Sequence, residues 1–380
     1  MLAIQRRLEK LILERLKPNK VVLIFGARRV GKTFLLKKID KEFKGKTLFL
    51  NAEDHETKLL LEKQSISSYK QILKDSELLI LDEAQNIEEI GKILKLMVDE
   101  IQGIKIIATG SSSFDLQNIS GEPLTGRSFR LQLFPISQDV LSLHENLIET
   151  KRFLEQRLIY GSYPEILEFE NNDDKKEYLF NIVNSYLLKD LLSFDGIRNS
   201  NKMFDLLKLI AYQMGNDVSY DELSKHLGLS KNTVEKYLDL LTKVFIIYRL
   251  DSYSKNLRKE IRKNKRFFFY DNGIRNAIIS DFKPIALRKD IGAIWENYLI
   301  TERLKFNNYS IKFLNSYFWR TYDQQEIDLV EEIDGQLFGY EIKWSDKIVK
   351  PPKAWQGTYT DANFETINSE NYLEWITTKQ

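Results

Sequence analysis

Residues Gly26–Thr33 read GARRVGKT, between the apolar run Val21–Phe25 and the helix-like stretch TFLLKKIDKEF. The pattern G-x-x-x-x-G-K-T between a strand and a helix constrains this part of the chain to an open α/β sheet. The loop must then leave the carboxyl end of the strand before it. Gly26 and Gly31 allow the backbone to curl until successive N–H groups converge on an anion. The helix starting near Lys32 turns the positive end of its dipole toward the same point. Lys32 adds a mobile cation for outer phosphates, and Thr33 adds a hydroxyl for Mg²⁺. The expected ligand is a nucleotide.

A second motif agrees. Leu78–Gln85 reads LLILDEAQ. Its apolar residues suit a strand buried on both faces of a parallel sheet. Asp82 then stands at the carboxyl end of that strand, where it can hold Mg²⁺ through water opposite Thr33. Glu83 follows directly, and a carboxylate there can polarise an attacking water. The alternative is that both acids cap the helix beginning near Ile87.

Five strands are expected in the first 135 residues: Val21–Phe25, Thr47–Asn51, Leu78–Asp82, Lys105–Gly110 and Phe129–Phe134. Helical segments separate the first four, which argues for a parallel sheet wrapped by helices. A strand lies between the phosphate loop and the Asp82 strand, as in the P-loop branch that hydrolyses ATP with an added glutamate. The fourth strand runs into Ser111, Ser112 and Ser113. Ser111 there can hydrogen-bond the γ-phosphate or the attacking water, or it can cap a helix. Arg127, in LTGRSFRLQLFPIS, can stabilise transition-state charge in its own subunit or across an interface, or it can form a surface salt bridge.

The chain has 380 residues, enough for two to four domains. Its net charge of +2 gives no bulk attraction to nucleic acid, so any basic surface must be local. The chain holds no cysteine, which excludes disulfides, zinc thiolates and cysteine nucleophiles and is compatible with the expected cytoplasmic location. The start, MLAIQRRLEKLILERL, alternates charge and apolar residues at helical spacing and lacks a signal-peptide core. No apolar run is long enough to span a membrane, so no membrane partner is expected.

From Lys151 to about Asn199 the chain reads helical, with a turn at YGSYPE. In Val218–Lys243, Leu223, Leu227, Val234, Leu238 and Leu241 are spaced for two helices sharing a core. Gly228 falls at the turn, and Ser230 is placed to cap the second helix. This is helix-turn-helix patterning, and FIIYRL and RFFFYD follow as a candidate wing. Between them Lys255–Arg266, KNLRKEIRKNKR, carries seven basic residues and one acidic. Lys231 and Lys236 on the second helix are offset by Glu235 and Asp239. The module therefore either contacts DNA, chiefly through the loop 255–266, or only packs within the protein.

All five tryptophans lie beyond residue 290, which suggests a separate domain with an aromatic core. Within EIDLVEEIDGQLFGYEIKW (Glu326–Trp344), Asp334-Gly335 favours a two-residue hairpin turn. That turn sets Asp328 opposite Glu341, with Lys343 projecting to the same side. Ile327 with Ile342, and Leu329 with Tyr340, would form an apolar opposite face. Two carboxylates and a lysine on one face can bind a divalent cation and stabilise a phosphodiester transition state, with Glu296 as a third carboxylate. The alternative is a solvated face on which Lys343 neutralises two acids.

The whole chain resembles bacterial and archaeal ATPases of the AAA+ class that carry a restriction-endonuclease-like carboxyl-terminal domain. The resemblance rests on GARRVGKT, LLILDEAQ, TGSSS, LTGR with LFPIS, YGSYPE, RFFFYDNG, WEN and EID…YEIKW, in that order. It implies ATP and Mg²⁺ as cofactors. It also implies an α/β P-loop domain over 1–150, a helical lid or connector over 151–200, a winged-helix domain over 201–280 and an α/β nuclease-like domain over 281–380. Asp328, Glu341 and Lys343 match the D…ExK signature of metal-dependent nucleases, and Glu296 matches its upstream helix glutamate. Ile327 stands where the nuclease pattern has a proline. The implied site residues are Gly26, Gly31, Lys32, Thr33, Asp82 and Ser111 for nucleotide, Glu83 and Arg127 for its hydrolysis, and Thr33, Asp82, Glu296, Asp328 and Glu341 for metal. The expected function is an ATP cycle coupled to DNA binding or metal-dependent cleavage. The alternative is a nucleotide-dependent switch whose nuclease-like domain only binds nucleic acid or a protein.

Overall fold

The computed structural model describes residues 4–111, 124–187, 199–254 and 265–377. Ser112, Ser113 and loop residues 255–264 lie outside the described residues. The chain divides into two compact units, 1–136 with 243–245 and 137–242 with 246–380.

The first unit is built on a five-stranded sheet of order β2-β3-β4-β1-β5, all neighbours parallel. The strands are β1 (Lys20–Phe25), β2 (Thr47–Asn51), β3 (Leu78–Asp82), β4 (Lys105–Gly110) and β5 (Ser128–Gln132). Val21 to Phe25 and Leu78 to Leu81 are buried, because helices cover both faces of a parallel sheet. Those helices are α1 (Arg7–Arg15), α2 (Lys32–Glu42), α3 (His55–Leu61), α4 (Ile66–Leu73) and α5 (Ile90–Glu100). The reason α5 faces the core is its spacing: Ile90, Ile93, Leu94, Met97 and Val98 form one stripe and join the main apolar cluster. β5 is offset from the expected Phe129–Phe134. It pairs with β1 only as far as Phe25↔Gln132, where β1 gives way to the glycine loop.

In the second unit, helices cover Leu147–Tyr160, Asn172–Asn181 and Ser200–Tyr212. The first opens with a capping box made by Asn146 and Glu149. Helices Tyr220–Leu227 and Lys231–Lys243 follow, joined by a turn in which Gly228 adopts φ 61°. Leu223, Leu227, Val234, Leu238 and Leu241 are all buried. Ser230 accepts the Thr233 N–H at 3.1 Å, so it caps the second helix as its position implies.

The second sheet has seven strands in the order β12-β11-β10-β9-β7-β8-β6. These are β6 (Asp217–Val218), β7 (Ile247–Ser252), β8 (Lys265–Phe269), β9 (Asn315–Arg320), β10 (Glu326–Ile333), β11 (Gln336–Ile342) and β12 (Asn363–Ile367). β7 and β8 are antiparallel, and β7 then pairs parallel with β9 through Asp251↔Tyr317 and Ser252↔Phe318. The sheet therefore runs without a break across residue 280, where the sequence suggests a boundary. Among the described residues no helix is long and apolar enough to cross a membrane.

The β10–β11 hairpin has the expected register, Leu329↔Tyr340 through Ile333↔Gln336. Asp334 (φ 50°) and Gly335 (φ 85°) both take positive φ, as a primed turn requires. The ladder stops at Leu329. Asp328 does not pair across to Glu341; its Oδ2 accepts the Ile342 N–H at 2.8 Å instead. The register on the β9 side shifts between Ile327 and Val330, which puts both into one apolar cluster with Trp319 and Trp355. The polar face is buried, with Asp328 only 7% exposed, so it is not the solvated face of the alternative reading.

The face expected to be purely apolar holds a buried ion pair. Arg303, on the helix Ile291–Tyr309, donates to both oxygens of Glu331 at 2.9 and 2.6 Å and to the Trp375 carbonyl at 2.6 Å. Asn307 adds a fourth bond, to Glu331 at 2.6 Å. Both charged side chains are essentially inaccessible. Removing one partner strands the other charge away from water. Glu331→Ala is therefore expected to destabilise the second unit by about 3–5 kcal/mol in denaturant unfolding, more than the loss of any exposed pair.

Candidate functional site

The carboxyl ends of β1, β3 and β4 lie side by side, and their residues form one hydrogen-bonded group. Gly26 follows β1. A Cβ there would stand 2.1 Å from the Leu133 carbonyl oxygen, so only glycine fits beside the chain leaving β5. Gly31 takes φ 98° at the start of α2, again a glycine conformation. The buried Lys32 ammonium folds back to donate to the carbonyls of Gly26 and Ala27 at 3.0 and 3.1 Å. Thr33 donates its hydroxyl to Asp82 Oδ2 at 2.6 Å. Thr109, at the end of β4, donates to the other oxygen of Asp82 at 2.5 Å. The sequence reading did not single out Thr109, although its place one residue before the TGSSS glycine marks it as a strand-end residue.

Glu83 adopts a left-handed backbone, φ 53° and ψ 42°, with its N–H bonded to Thr109 Oγ1 at 2.9 Å. Its side chain accepts from Gln85 Nε2 at 2.5 Å, and the same nitrogen lies 3.2 Å from Ser111 Oγ. The structure thus gathers Gly26, Gly31, Lys32, Thr33, Asp82, Glu83 and Ser111. It does not bring Arg127 to them. Arg127 precedes β5 at the amino end of β1, where its carbonyl accepts the Val21 N–H and its guanidinium pairs with Asp99 at 2.6 Å. The phosphate loop leaves the opposite end of β1, roughly 15 Å along the strand. Within its own subunit Arg127 is a salt-bridge residue.

In the second unit, Glu296 on the helix Ile291–Tyr309 shares electrostatic interactions with Asp328 and Glu341. Burial first, and then the charge of Asp328, hold the Glu296 carboxyl well above its ordinary value. Burial and then Glu341 push Asp328 up to about 7. Lys343 donates to Glu341 at 2.6 Å. Burial alone would lower the Lys343 ammonium, but Glu341 and Asp328 raise it.

The cluster contains a cation the sequence reading assigned elsewhere. Arg266, counted there with the basic loop, is buried at the start of β8. It bonds Asp217 at 3.1 Å and Glu326 at 2.8 Å and lies 4.0 Å from Glu296. No alternation marks this inward role, since Arg266, Phe267, Phe268 and Phe269 are all buried. Glu296 Oε1 and Glu341 Oε2 are buried without a hydrogen-bond partner. Among the described residues no group of three acids or histidines converges tightly enough to hold a metal ion. Asp328 Oδ2 takes a backbone N–H and Glu341 Oε1 takes the Lys343 ammonium, while Glu296 lies 4.0 Å from Arg266.

The residues beside Glu296 are fastening points. Trp295 donates to the Lys343 carbonyl at 2.9 Å. Asn297 accepts the Phe269 N–H at 2.7 Å and donates to its carbonyl at 3.0 Å. WEN therefore fixes both β8 and the end of β11 to one helix.

Residues 18–141 match the model of an AAA domain. Residues 151–284 and 291–365 match two domains of unknown function, DUF8612 and DUF4143. An uncharacterized protein of Mycobacterium tuberculosis is 26% identical over 328 residues, 85% of this chain and 70% of its own length. An uncharacterized protein of Methanocaldococcus jannaschii is 25% identical over 394 residues, 94% of this chain and 86% of that one. Among solved structures, the Thermotoga maritima RuvB Holliday junction branch migration motor is similar at 17% identity with a TM-score of 0.33, over 65% of this chain and 90% of that one. The AAA match, the phosphate loop and the parallel sheet define residues 18–141 as an AAA-type P-loop nucleotide-binding domain.

The matched segment 151–284 contains a second buried acid with a clear task. Asp271 accepts the Ser162 N–H at 2.7 Å and the Gly273 N–H at 2.8 Å, tying YGSYPE to YDNG. A Cβ on Gly161 would stand 1.8 Å from its Oδ1, so the approach needs glycine. Burial, partly offset by Lys305, pushes the Asp271 carboxyl from 3.8 up to about 6. A raised folded-state value means stability that is complete below pH 3.8 and is lost as pH rises through 6. The difference in unfolding free energy between wild type and Asp271→Asn is expected to shrink by about 2–3 kcal/mol from pH 4 to pH 7, measured by denaturant titration at each pH.

Proposed function

We propose that the first unit binds and hydrolyses ATP. The observation that carries this reading is the closure of Asp82 onto Thr33 on one side and Thr109 on the other, beside the folded-back Lys32. A hydroxyl and a carboxylate in contact are the hard oxygen donors that Mg²⁺ takes, so Thr33 and Asp82 are the residues that would hold it. When bound, Mg²⁺ neutralises charge on the outer phosphate oxygens. Lys32 exchanges its loop carbonyls for those phosphates, and the backbone N–H groups from Gly26 to Thr33 cradle them. Glu83 accepts the proton of the attacking water. Lys32→Ala is expected to abolish tight ATP binding. Glu83→Gln should retain binding and slow turnover by about 10²–10⁴-fold. Equal loss of binding in both, measured by equilibrium titration with a fluorescent ATP analogue, rejects this division of roles.

The ATP cycle, in this reading, serves a nucleic-acid partner held by a winged-helix domain over 201–280 and its basic loop, in the cytoplasm. Arg266 is not part of that surface, since it is engaged internally. The support for the reading is the charge of the loop and the two-helix pattern. For the carboxyl-terminal acids we favour the non-catalytic reading. The support for it is that Arg266 lies 4.0 Å from Glu296 and Lys343 is bonded to Glu341, so two cations already face these acids. Replacing Arg258, Lys259, Arg262 and Lys263 with neutral residues should weaken DNA binding and flatten its dependence on salt, because fewer counterions are released. The same binding reactions, supplied with Mg²⁺ or Mn²⁺ with and without ATP, should leave the DNA intact. An unchanged salt slope removes the loop from the interface, and cleavage abolished by Asp328→Ala restores the nuclease reading.

A further inference from the structure

We propose that Gln85 is a positioning residue for Glu83 and that it ties the hydrolytic carboxylate to Ser111 at the end of β4. The inference rests on the reading of Glu83 as the base.

Three observations carry it. The first is a fork. The Gln85 side-chain nitrogen is 2.5 Å from Glu83 Oε2 and 3.2 Å from Ser111 Oγ, so its two protons span the ends of β3 and β4. A carboxylate only accepts, so the amide nitrogen, not its oxygen, must face Glu83, and chemistry fixes the orientation of the group. The second is an uncompensated atom. Gln85 Oε1 is buried with no hydrogen-bond partner, close to Gly110. A buried acceptor left unpaired is costly, and a leucine of the same bulk would avoid it. Packing alone therefore does not account for an amide here. The third is the backbone under Glu83. Its left-handed conformation is unfavourable for a side chain of this kind and is held by Thr109. Strain of this sort aims the carboxylate, and Gln85 then fixes its remaining freedom.

With both ends held, Glu83 waits in one rotamer. Ser111 sits in the same chain of hydrogen bonds, so whatever engages its hydroxyl, a γ-phosphate oxygen included, is felt at Glu83 through one side chain. Gln85 touches neither nucleotide nor water in this scheme; it acts through Glu83.

The test is a double-mutant cycle on the full chain. Gln85→Ala and Gln85→Leu are each expected to lower kcat by roughly tenfold or more, with the dissociation constant of a fluorescent ATP analogue within about twofold of wild type. On a Glu83→Gln background, either change should alter kcat by less than about twofold, because the group through which Gln85 acts has gone. A fully active Gln85→Leu, a rise in kcat, or an effect of Gln85→Ala that persists undiminished beside Glu83→Gln overturns the proposal. If Glu83→Gln itself hydrolyses ATP at the wild-type rate, the base reading falls and this inference falls with it. If Glu83→Gln is slow and the Gln85 variants are not, this inference alone fails.

Discussion

The Asp82 carboxylate is the joint of the nucleotide domain. One oxygen takes the hydroxyl of Thr33 from the helix after the phosphate loop, and the other takes the hydroxyl of Thr109 from the neighbouring strand. Three separate stretches of chain thereby acquire one geometry. The parallel sheet makes this possible, since it delivers the ends of β1, β3 and β4 to the same edge. Glu83 inherits its position from the same joint, because its N–H is bonded to the hydroxyl of Thr109. A single buried acid therefore sets where the phosphate loop, Thr33, Thr109 and Glu83 stand relative to one another.

The second unit solves a different problem, that of holding many charges out of water. Arg303 and Glu331 do so by mutual fork geometry with two further hydrogen-bonded groups. Arg266 does so by dividing its guanidinium among Asp217, Glu326 and Glu296. The stacked and edge-on aromatics around Trp295, including Trp344 at 5.2 Å and Tyr372 at 5.0 Å, close the space beside them. The acid cluster is only partly matched by Arg266 and Lys343: Glu296 Oε1 and Glu341 Oε2 stay buried without a hydrogen-bond partner.

Much of this was legible in the sequence wherever a local signal decided the outcome. Apolar runs gave β1 to β4 to within a residue: β1, β3 and β4 are buried on both faces of the sheet, and the edge strand β2 is half-buried. Asp334-Gly335 gave the hairpin register, because few turns accept two positive φ values. The signals failed where partners are distant. Nothing near Arg266 says that its counter-charges lie at 217, 296 and 326, so the basic run expected to face DNA ends in a buried residue. Glu331 sits in a strand whose apolar alternation hides a partner on a helix. The break in the ladder at Asp328 comes from the shift against β9, which no hairpin rule contains. Gln85 closes the motif LLILDEAQ without a role that the sequence alone assigns; its contacts with Glu83 and Ser111 give it meaning.

The parallel pairing of β7 with β9 has a consequence for heredity. Two stretches that match different family models contribute neighbouring strands to one sheet, and the Tyr253 N–H reaches the Phe318 carbonyl just beyond their ladder at 2.7 Å. A gene rearrangement that separated them near residue 280 would leave β9 with a bare edge and β8 without Asn297. Such edges invite pairing with foreign strands. The two stretches can be exchanged between lineages only as a linked pair, so their sequences should drift together even where their surfaces have no task in common.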